Sequence, residues 1–309
     1  MVRAMTLRQL RCICEVINSG FNLSVAARGL HMSQPGISRY IKLLEEELAV
    51  SLFVRRKNRF ESLTPAGHAI AAVASRALRD VQSIPAVAKD YRDGEAGQLV
   101  IATNPGHARY VLPPVMQRFI KRHPHVKVRI RQGNSSQVSD WVLQGEAEVF
   151  IATGPSTPNR ELVLFPCHSI HSVILALPSH PLAKKRRVTL NDLCDHPIIT
   201  YDSEFAFHAN MMQTFHSKGL APDILLSASD ADIMKMYVRA GVGIAIIANS
   251  AYDPCNDKGL RAIDARHLFN STVLHIGLRR NVYLTKHLIA FIELFAPHVA
   301  MDEVRKAIA

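Results

Sequence analysis

A chain of 309 residues with 48% hydrophobic residues is long enough for two or three ordinary domains, and its richest apolar stretch, 241–248, falls far short of the roughly 18 residues a membrane helix needs. The formal net charge of +11 favours an anionic partner such as nucleic acid. Five cysteines (Cys12, Cys14, Cys167, Cys194 and Cys255) with no CxxC spacing argue against a disulfide framework and a thiolate zinc site, and Cys167-His168-Ser169-Ile170-His171 has no second ligand pair, so neither metal nor cofactor is expected.

The opening Met1-Val2-Arg3-Ala4-Met5 leads straight into an amphipathic pattern without the apolar core of a secretory signal, so the chain is expected to stay in the cytosol. Residues 1–65 hold ten Lys/Arg against five Asp/Glu, which makes this segment far more basic per residue than the rest and places the nucleic-acid surface there. Thr6 can cap a first helix with apolar positions Leu7, Leu10, Ile13, Cys14 and Ile17, stopped by Gly20. Asn22 or Ser24 can start a short second helix through Leu30. Ser33 then reads as an N-cap, with Pro35 tolerated in the first turn of a third helix whose apolar face is Ile37, Ile41, Leu44 and Leu48. Gln34, Ser38, Arg39 and Lys42 project from the other side. Two short helices at an angle, the second presenting small polar and basic residues at its N-terminus, describe a helix-turn-helix; a plain three-helix cap is the alternative. Gln34 and Arg39 suit base edges in the major groove, while Ser24, Ser33, Pro35, Gly36 and Ser38 surround the first turn, where hydroxyls and free amides suit phosphate.

Phe53-Val54-Arg55-Arg56 and Arg59-Phe60-Glu61-Ser62-Leu63, joined by Lys57-Asn58, read as a two-stranded wing whose Arg55, Arg56, Lys57 and Arg59 add salt-dependent affinity for the DNA backbone. Thr64-Pro65 starts a long helix in which Ile70, Ala74, Ala77, Val81, Ile84, Ala88 and Tyr91 alternate steps of four and three. That is the seam of a two-stranded coiled coil and predicts a homodimer through the 65–92 helix, with an intramolecular stripe as the alternative; Pro85 predicts a kink near the end. Asp93-Gly94-Glu95-Ala96-Gly97 follows as a linker. Beyond it, strands predicted at 99–103, 126–131, 149–153, 173–177, 198–201, 224–227 and 243–247 alternate with helices, the pattern of an α/β domain around parallel-rich sheet. Ligands in such sheets sit beyond the carboxyl ends of strands. The candidates are Thr103, Asn104, Gly106 and His107 after the first strand, Thr153-Gly154 and Thr200-Tyr201-Asp202 after two others, and Gln137 in the Asn134-Ser135-Ser136-Gln137 turn; ordinary capping chemistry accounts equally well for each.

Ser33-Gln34-Pro35-Gly36-Ile37-Ser38, Leu44-Glu45, Phe53 and Leu63-Thr64-Pro65-Ala66-Gly67 resemble LysR-type transcriptional regulators. Ala108-Arg109-Tyr110, His180-Pro181-Leu182-Ala183, Asp230-Ala231-Asp232, Tyr237-Val238-Arg239 and Phe295-Ala296-Pro297-His298 are similar to its CysB-like branch, which controls cysteine biosynthesis and sulfur assimilation. The resemblance covers essentially the whole chain. It implies a winged helix-turn-helix at 1–64, a dimerisation helix at 65–93, and an effector domain at 94–309 like a periplasmic binding protein, with subdomain I at about 94–167 and 269–309 and subdomain II at about 168–268. It also implies a homotetramer on promoter DNA that answers a small-molecule effector; RNA polymerase is a further candidate partner.

Members of that branch that recognise sulfate carry threonines where this chain has Asn104, Gly106 and Asp202, and a glutamine where it has His107; of that set Thr153 alone is kept. Two unit charges about 4 Å apart interact by roughly 4 kcal/mol at an effective dielectric of 20, so a carboxylate beside sulfate predicts a different ligand, one with an ammonium or hydroxyls for Asp202 and a negative end for His107. Enzyme motifs such as GxSxG, HExxH and GxxxxGK[ST] are lacking, so no catalysis is expected. A transporter's solute-binding protein would suit the second half, but the helix-turn-helix and the lack of a signal sequence speak against it. A non-specific nucleoid protein would bind DNA with weak dependence on sequence.

Overall fold

Helix α1 (Leu7–Asn18) starts at Thr6, whose hydroxyl accepts from the Gln9 amide while the Gln9 side chain accepts from the Thr6 amide, a reciprocal cap. In the computed structural model, which describes residues 5–57, 59–93, 96–153 and 159–309, this helix opens the first of two compact units, divided between Ala88 and Lys89. The expectations placed on Met1, Val2, Arg3, Ala4, Asn58, Gly94, Glu95 and Gly154 lie outside the described residues. Asn22 caps α2 (Leu23–Gly29) through the amides of Ser24 and Val25, and Ser33 caps α3 (Gln34–Leu48), which ends at Ala49 in the left-handed conformation. Ile13, Val16, Ile37, Ile41 and Leu44 are fully buried where the three helices meet. Each such aliphatic side chain contributes about 1.5–3 kcal/mol of transfer free energy.

The wing strands β1 (Phe53–Arg56) and β2 (Arg59–Leu63) pair antiparallel, with Phe53 and Phe60 stacked 4.5 Å apart on the same core. Thr64 then caps α4 (Pro65–Asp93): its hydroxyl accepts from the Gly67 amide at 2.9 Å and donates to the Ser51 carbonyl at 2.6 Å. A Cβ on Gly67 would lie 2.0 Å from the Leu52 carbonyl oxygen, so only glycine permits this approach. The apolar seam read along this helix divides in two. Ala74 is buried in the core of the first unit beside Ala71 and Leu78, with Ile70 and Ala77 packed against it, whereas Ile84, Ala88 and Tyr91 are exposed. The first turns of the predicted separate helix at 65–93 therefore belong to the DNA-reading unit, because they complete its core. The helix runs on past Pro85.

The second unit carries two five-stranded sheets. The first is ordered β4-β3-β5-β12-β6 from β3 (Gly97–Thr103), β4 (Val126–Gln132), β5 (Val149–Ala152), β6 (Leu162–Ile170) and β12 (Thr272–Arg279). Around it lie α5 (Pro105–Tyr110), α6 (Pro113–Arg122), α7 (Ser135–Leu143), α11 (Lys286–Phe295) and α12 (Met301–Ile308). The second sheet is ordered β11-β7-β10-β8-β9 from β7 (Ser172–Ala176), β8 (Ile198–Tyr201), β9 (Ile224–Ala228), β10 (Ile244–Ala248) and β11 (Arg261–Asp264), with α8 (Leu190–Cys194), α9 (Ala206–Ser217) and α10 (Ala231–Arg239). Each sheet joins two parallel and two antiparallel pairings, so the expected parallel-rich sheet is half antiparallel. The antiparallel half comes from strands that cross between the subdomains.

The chain leaves the first sheet at Ile170 and enters the second at Ser172, then returns between Asp264 and Thr272. The outward crossing falls a few residues beyond the break expected near 167, and the return brackets the one expected near 268. His171 marks the outward crossing, its amide donating to the Asn249 side-chain oxygen at 3.0 Å while the Asn249 amide donates to its carbonyl at 2.8 Å. Phe119, Phe291, Phe295, Leu274 and Ile276 form the core of the first subdomain, and Phe215, Ile174, Ile198 and Ile246 lie in that of the second.

Candidate DNA interface and effector cavity

On the first unit, Ser33, Gln34, Pro35, Arg39 and Lys42 are exposed on α3, while Gly36 and Ser38 are half-buried. The Ser33 hydroxyl accepts from the Gly36 amide at 3.2 Å, which fixes the first turn and occupies one of the amides expected to be free for phosphate. The Gln34 side-chain amide donates to the Ser24 hydroxyl at 2.6 Å, tying α2 to α3. Arg39 and Lys42 stand out from the same helix, Lys42 with an exposed pair to Glu46 at 3.7 Å, a contact worth little in water.

The wing is held to α3 through Glu45. One carboxylate oxygen accepts from the amides of Leu52 at 2.8 Å and Phe53 at 3.3 Å, and the other takes the Arg55 guanidinium at 2.5 Å. Arg55 also lies over the Phe60 ring at 5.0 Å. Its first role is thus to brace the wing, whereas Arg56, Lys57 and Arg59 are exposed around the turn, Arg56 with a 3.7 Å pair to Glu61.

On the second unit, an inner cavity of about 50 Å³ lies between the two subdomains, room for about three or four waters or a small polyatomic group. Asn104, Gly106, His107 and Tyr110 line it from the turn after β3 and from α5, with Ser135 at the start of α7 and Thr153 after β5. Tyr201, Phe205, Phe207, Ser229, Ala248 and Ser250 face them from the second subdomain. Phe205 and Ser229 also line an open outer groove of about 470 Å³, together with Asn134, Gln137, Asp202, Glu204 and Ser227.

His107 is 6% exposed, and burial pulls its pKa down to about 4, so its imidazole is neutral at physiological pH. The Asn104 side chain accepts from the His107 amide at 2.9 Å, but His107 Nε2 is buried without a hydrogen-bond partner among the described residues. Burial likewise raises the Tyr201 phenol. Beside the cavity a polar clasp joins the subdomains: Arg109 and Tyr110 both donate to the Asp232 carboxylate, and Arg109 lies 3.5 Å from Asp230. The clasp continues through buried Lys235, 3.3 Å from Asp232 and 2.8 Å from Asp257, to Arg239, 3.0 Å from Asp257. Burial would raise the Asp257 pKa, but the Asp253 amide and the Lys235 ammonium outweigh it and hold the carboxyl below its ordinary range.

Residues 7–68 match the family described as "Bacterial regulatory helix-turn-helix protein, lysR family", and residues 92–300 match the "LysR substrate binding domain". The chain belongs to the LysR family. Over 300 residues it is 39% identical to the HTH-type transcriptional regulator SsuR of Burkholderia cenocepacia, covering 97% of each chain. It is 40% identical over 304 residues to the HTH-type transcriptional regulator CysB of the same organism, covering 98% of this chain and 97% of the other. Among solved structures, the cofactor-binding domain of the Cbl transcriptional regulator superposes with a TM-score of 0.66 at 31% identity, over 69% of this chain and 93% of that one.

In this LysR chain the effector residues expected from sequence separate into three places. Asn104, Gly106, His107 and Thr153 come together at the inner cavity. Asp202 and Gln137 line the outer groove instead. The Asp202 carboxylate accepts from the Ser227 hydroxyl at 2.7 Å, and the Gln137 side chain accepts from the Asn134 amide at 3.0 Å to complete the cap of α7. Thr103 and Thr200 line neither space. Both are fully buried at strand ends, Thr103 donating to the Ile151 carbonyl at 2.6 Å and Thr200 to the Met211 sulfur at 3.6 Å, so their hydroxyls serve the fold. With Asp202 outside the inner cavity, the repulsion argued against sulfate applies to the groove and not to the cavity.

Tyr201 and Ser135 stood within the candidate stretches, whereas the cavity residues that sequence reasoning missed include Tyr110, Phe205, Phe207, Ser229, Ser250 and Thr272. A signal for several was present: Ser229 follows β9 and Ser250 lies just past β10, at the same carboxyl ends of strands where the other candidates were sought.

Proposed function

We propose that this LysR-family regulator binds promoter DNA of sulfur and cysteine metabolism genes and changes that binding when a small effector occupies the inner cavity. The observation that carries the pathway is the full-length similarity, at 39–40% identity, to regulators named SsuR and CysB. Ser33, Gln34, Arg39 and Lys42 supply the recognition surface, with Ser24, Pro35, Gly36 and Ser38 shaping the approach of α3. Arg56, Lys57 and Arg59 reach the DNA backbone from the wing that Arg55 braces.

The assembly is a homodimer through the exposed part of α4 around Ile84, Ala88 and Tyr91, and a homotetramer through further surfaces of the second unit. Exposed Ile233, Met236 and Tyr237 on α10 and Ile120 on α6 support such contacts. Two recognition helices then meet half-sites about one DNA turn apart. The protein works in the cytosol, with RNA polymerase as a further partner, and it is not an enzyme.

An effector long enough to pass Phe205 and Ser229 would set an ammonium or hydroxyls against Asp202 and Glu204 in the outer groove, with its other end in the inner cavity. Thermal unfolding with sulfate, thiosulfate, O-acetylserine, N-acetylserine and taurine, beside the Asp202→Thr variant, tests this. A ligand at 100 times its dissociation constant adds about 2.7 kcal/mol. Stabilisation by the amino compounds that Asp202→Thr removes supports the extended pose; unchanged selectivity in Asp202→Thr contradicts it.

A further inference from the structure

Buried nitrogens without a hydrogen-bond partner are rare in folded proteins, because each has lost its water and gained nothing in exchange. His107 Nε2 is one, and the ring that carries it lines the inner cavity. Among the described lining residues none bears a permanent charge, and the titratable ones besides His107 are Tyr110 and Tyr201, both held protonated by burial. The remaining polar side chains are hydroxyls and an amide, from Asn104, Ser135, Thr153, Ser229, Ser250 and Thr272. Such a cavity can hydrogen-bond an anion but cannot neutralise it.

The geometry points to an effector that brings a single oxyanion group, a carboxylate, sulfonate or inorganic oxyanion, against His107 Nε2 and binds together with one proton, which this nitrogen takes from solvent. The inference rests on the effector reading above and adds the proton that His107 takes up together with the ligand. The step balances simply: the anion and a solvent proton enter, one N–H bond forms, and for a monoanion the buried pair is neutral. Burial holds the free imidazole unprotonated, with a pKa of about 4. An anion at hydrogen-bond distance reverses that preference, because an opposite charge within a few ångströms favours the charged form.

The charged groups around His107 do not supply the missing cation. On its own helix Arg109 is engaged with Asp230 and Asp232, and Tyr110 donates to Asp232. On α10 Lys235 is shared between Asp232 and Asp257. In the outer groove Asp202 accepts from Ser227, and Glu204 accepts from the Asn134 side chain at 3.0 Å. Those two carboxylates do not line the inner cavity, and β8 contributes only the phenol of Tyr201 to it as a titratable group.

The test is calorimetric titration of the full chain with sulfate, thiosulfate and N-acetylserine, all ionised throughout, from pH 5.5 to 8.5 in two buffers of different ionisation heat. We expect affinity to rise about tenfold per pH unit on acidification where the free ring is neutral and the bound ring is protonated, with one proton taken up per site. His107→Gln keeps a donor but cannot titrate; it should lose both the proton uptake and the pH slope. Wild-type binding that is independent of pH, without proton uptake, overturns the inference while leaving the effector reading intact. So does a slope that survives in His107→Gln, or no binding of any of the three at pH 5.5. The effector reading fails separately, if a bound probe at saturation leaves promoter affinity unchanged.

Discussion

Glu45→Ala removes the joint between the recognition helix and the wing. The change leaves the amides of Leu52 and Phe53, both buried, without their acceptor, and it releases Arg55. An unmet buried donor costs about 1–3 kcal/mol, and the Phe53 bond at 3.3 Å is the weaker of the two. The Arg55 pair adds less than about 1 kcal/mol, since the arginine side chain is 39% exposed and screened by solvent. The expected loss is about 3 kcal/mol for the first unit alone. Urea unfolding separates the units by probe: Trp141, the single tryptophan, lies in α7 of the second unit, whereas circular dichroism follows the helices of both. Glu45→Ala should move the circular-dichroism transition of the reader and leave the tryptophan transition in place. Glu45→Gln keeps an oxygen for the amides and should cost about 1 kcal/mol. Promoter binding of Glu45→Ala should also show a shallower salt dependence, because a loosened wing no longer delivers its basic side chains to phosphates. Equal losses in the two variants, or a Glu45→Ala loss under about 0.5 kcal/mol, would refute this account of the wing.

Arg39→Ala should relax sequence preference and cost about 1–3 kcal/mol on the preferred site, while Arg56→Ala should weaken all sequences alike and lower the salt slope by about one; anisotropy titrations at several salt concentrations distinguish the two. Gly67→Ala places a Cβ 2.0 Å from the Leu52 carbonyl oxygen and should destabilise the reader by more than about 2 kcal/mol, visible as an early circular-dichroism transition. Asp257→Ala leaves buried Lys235 without its nearer carboxylate and should lower the tryptophan-detected transition of the second unit by about 3 kcal/mol, with little change in the reader. Acid should weaken the second unit as well. The folded pKa of His107, about 4, lies below its unfolded value of 6.5, so the unfolded chain binds more protons between those values. Its contribution is therefore nearly complete above pH 6.5 and falls by about 3 kcal/mol as pH drops to 4, of which urea unfolding at pH 7 and pH 5 should register about 2 kcal/mol; His107→Gln should flatten it.

Local chemistry was legible from the sequence where it is self-contained. The caps at Thr6, Asn22, Ser33 and Thr64, the apolar stripe of α3 and the basic turn of the wing all depend on residues a few positions apart. What escaped depends on partners distant in sequence. Strand β6 carries Pro166 in its middle, which a sequence reading takes as a break, yet the strand lies at the edge of its sheet, where a missing amide is tolerated. Strand β12 was overlooked, although it lies between β5 and β6 and makes half of that sheet antiparallel. The same limit governed the site. Thr103, Thr200 and Asp202 stand at strand ends like Asn104 and Thr153, and the side to which each side chain turns follows from the pleat and from the facing subdomain. Sequence spacing carries neither. The seam of α4 likewise could not show that Ala74 would be buried in its own unit while Tyr91 is exposed.

The most direct test of the account is affinity capture of fragmented genomic DNA by the purified full-length chain, sequenced and followed by footprinting of the enriched fragments at fixed salt. The account predicts enrichment of promoters of sulfur and cysteine genes, with a dyad of protected half-sites one DNA turn apart that is lost in Arg39→Ala. Uniform recovery of genomic DNA, or a consensus confined to promoters of unrelated pathways, would contradict it.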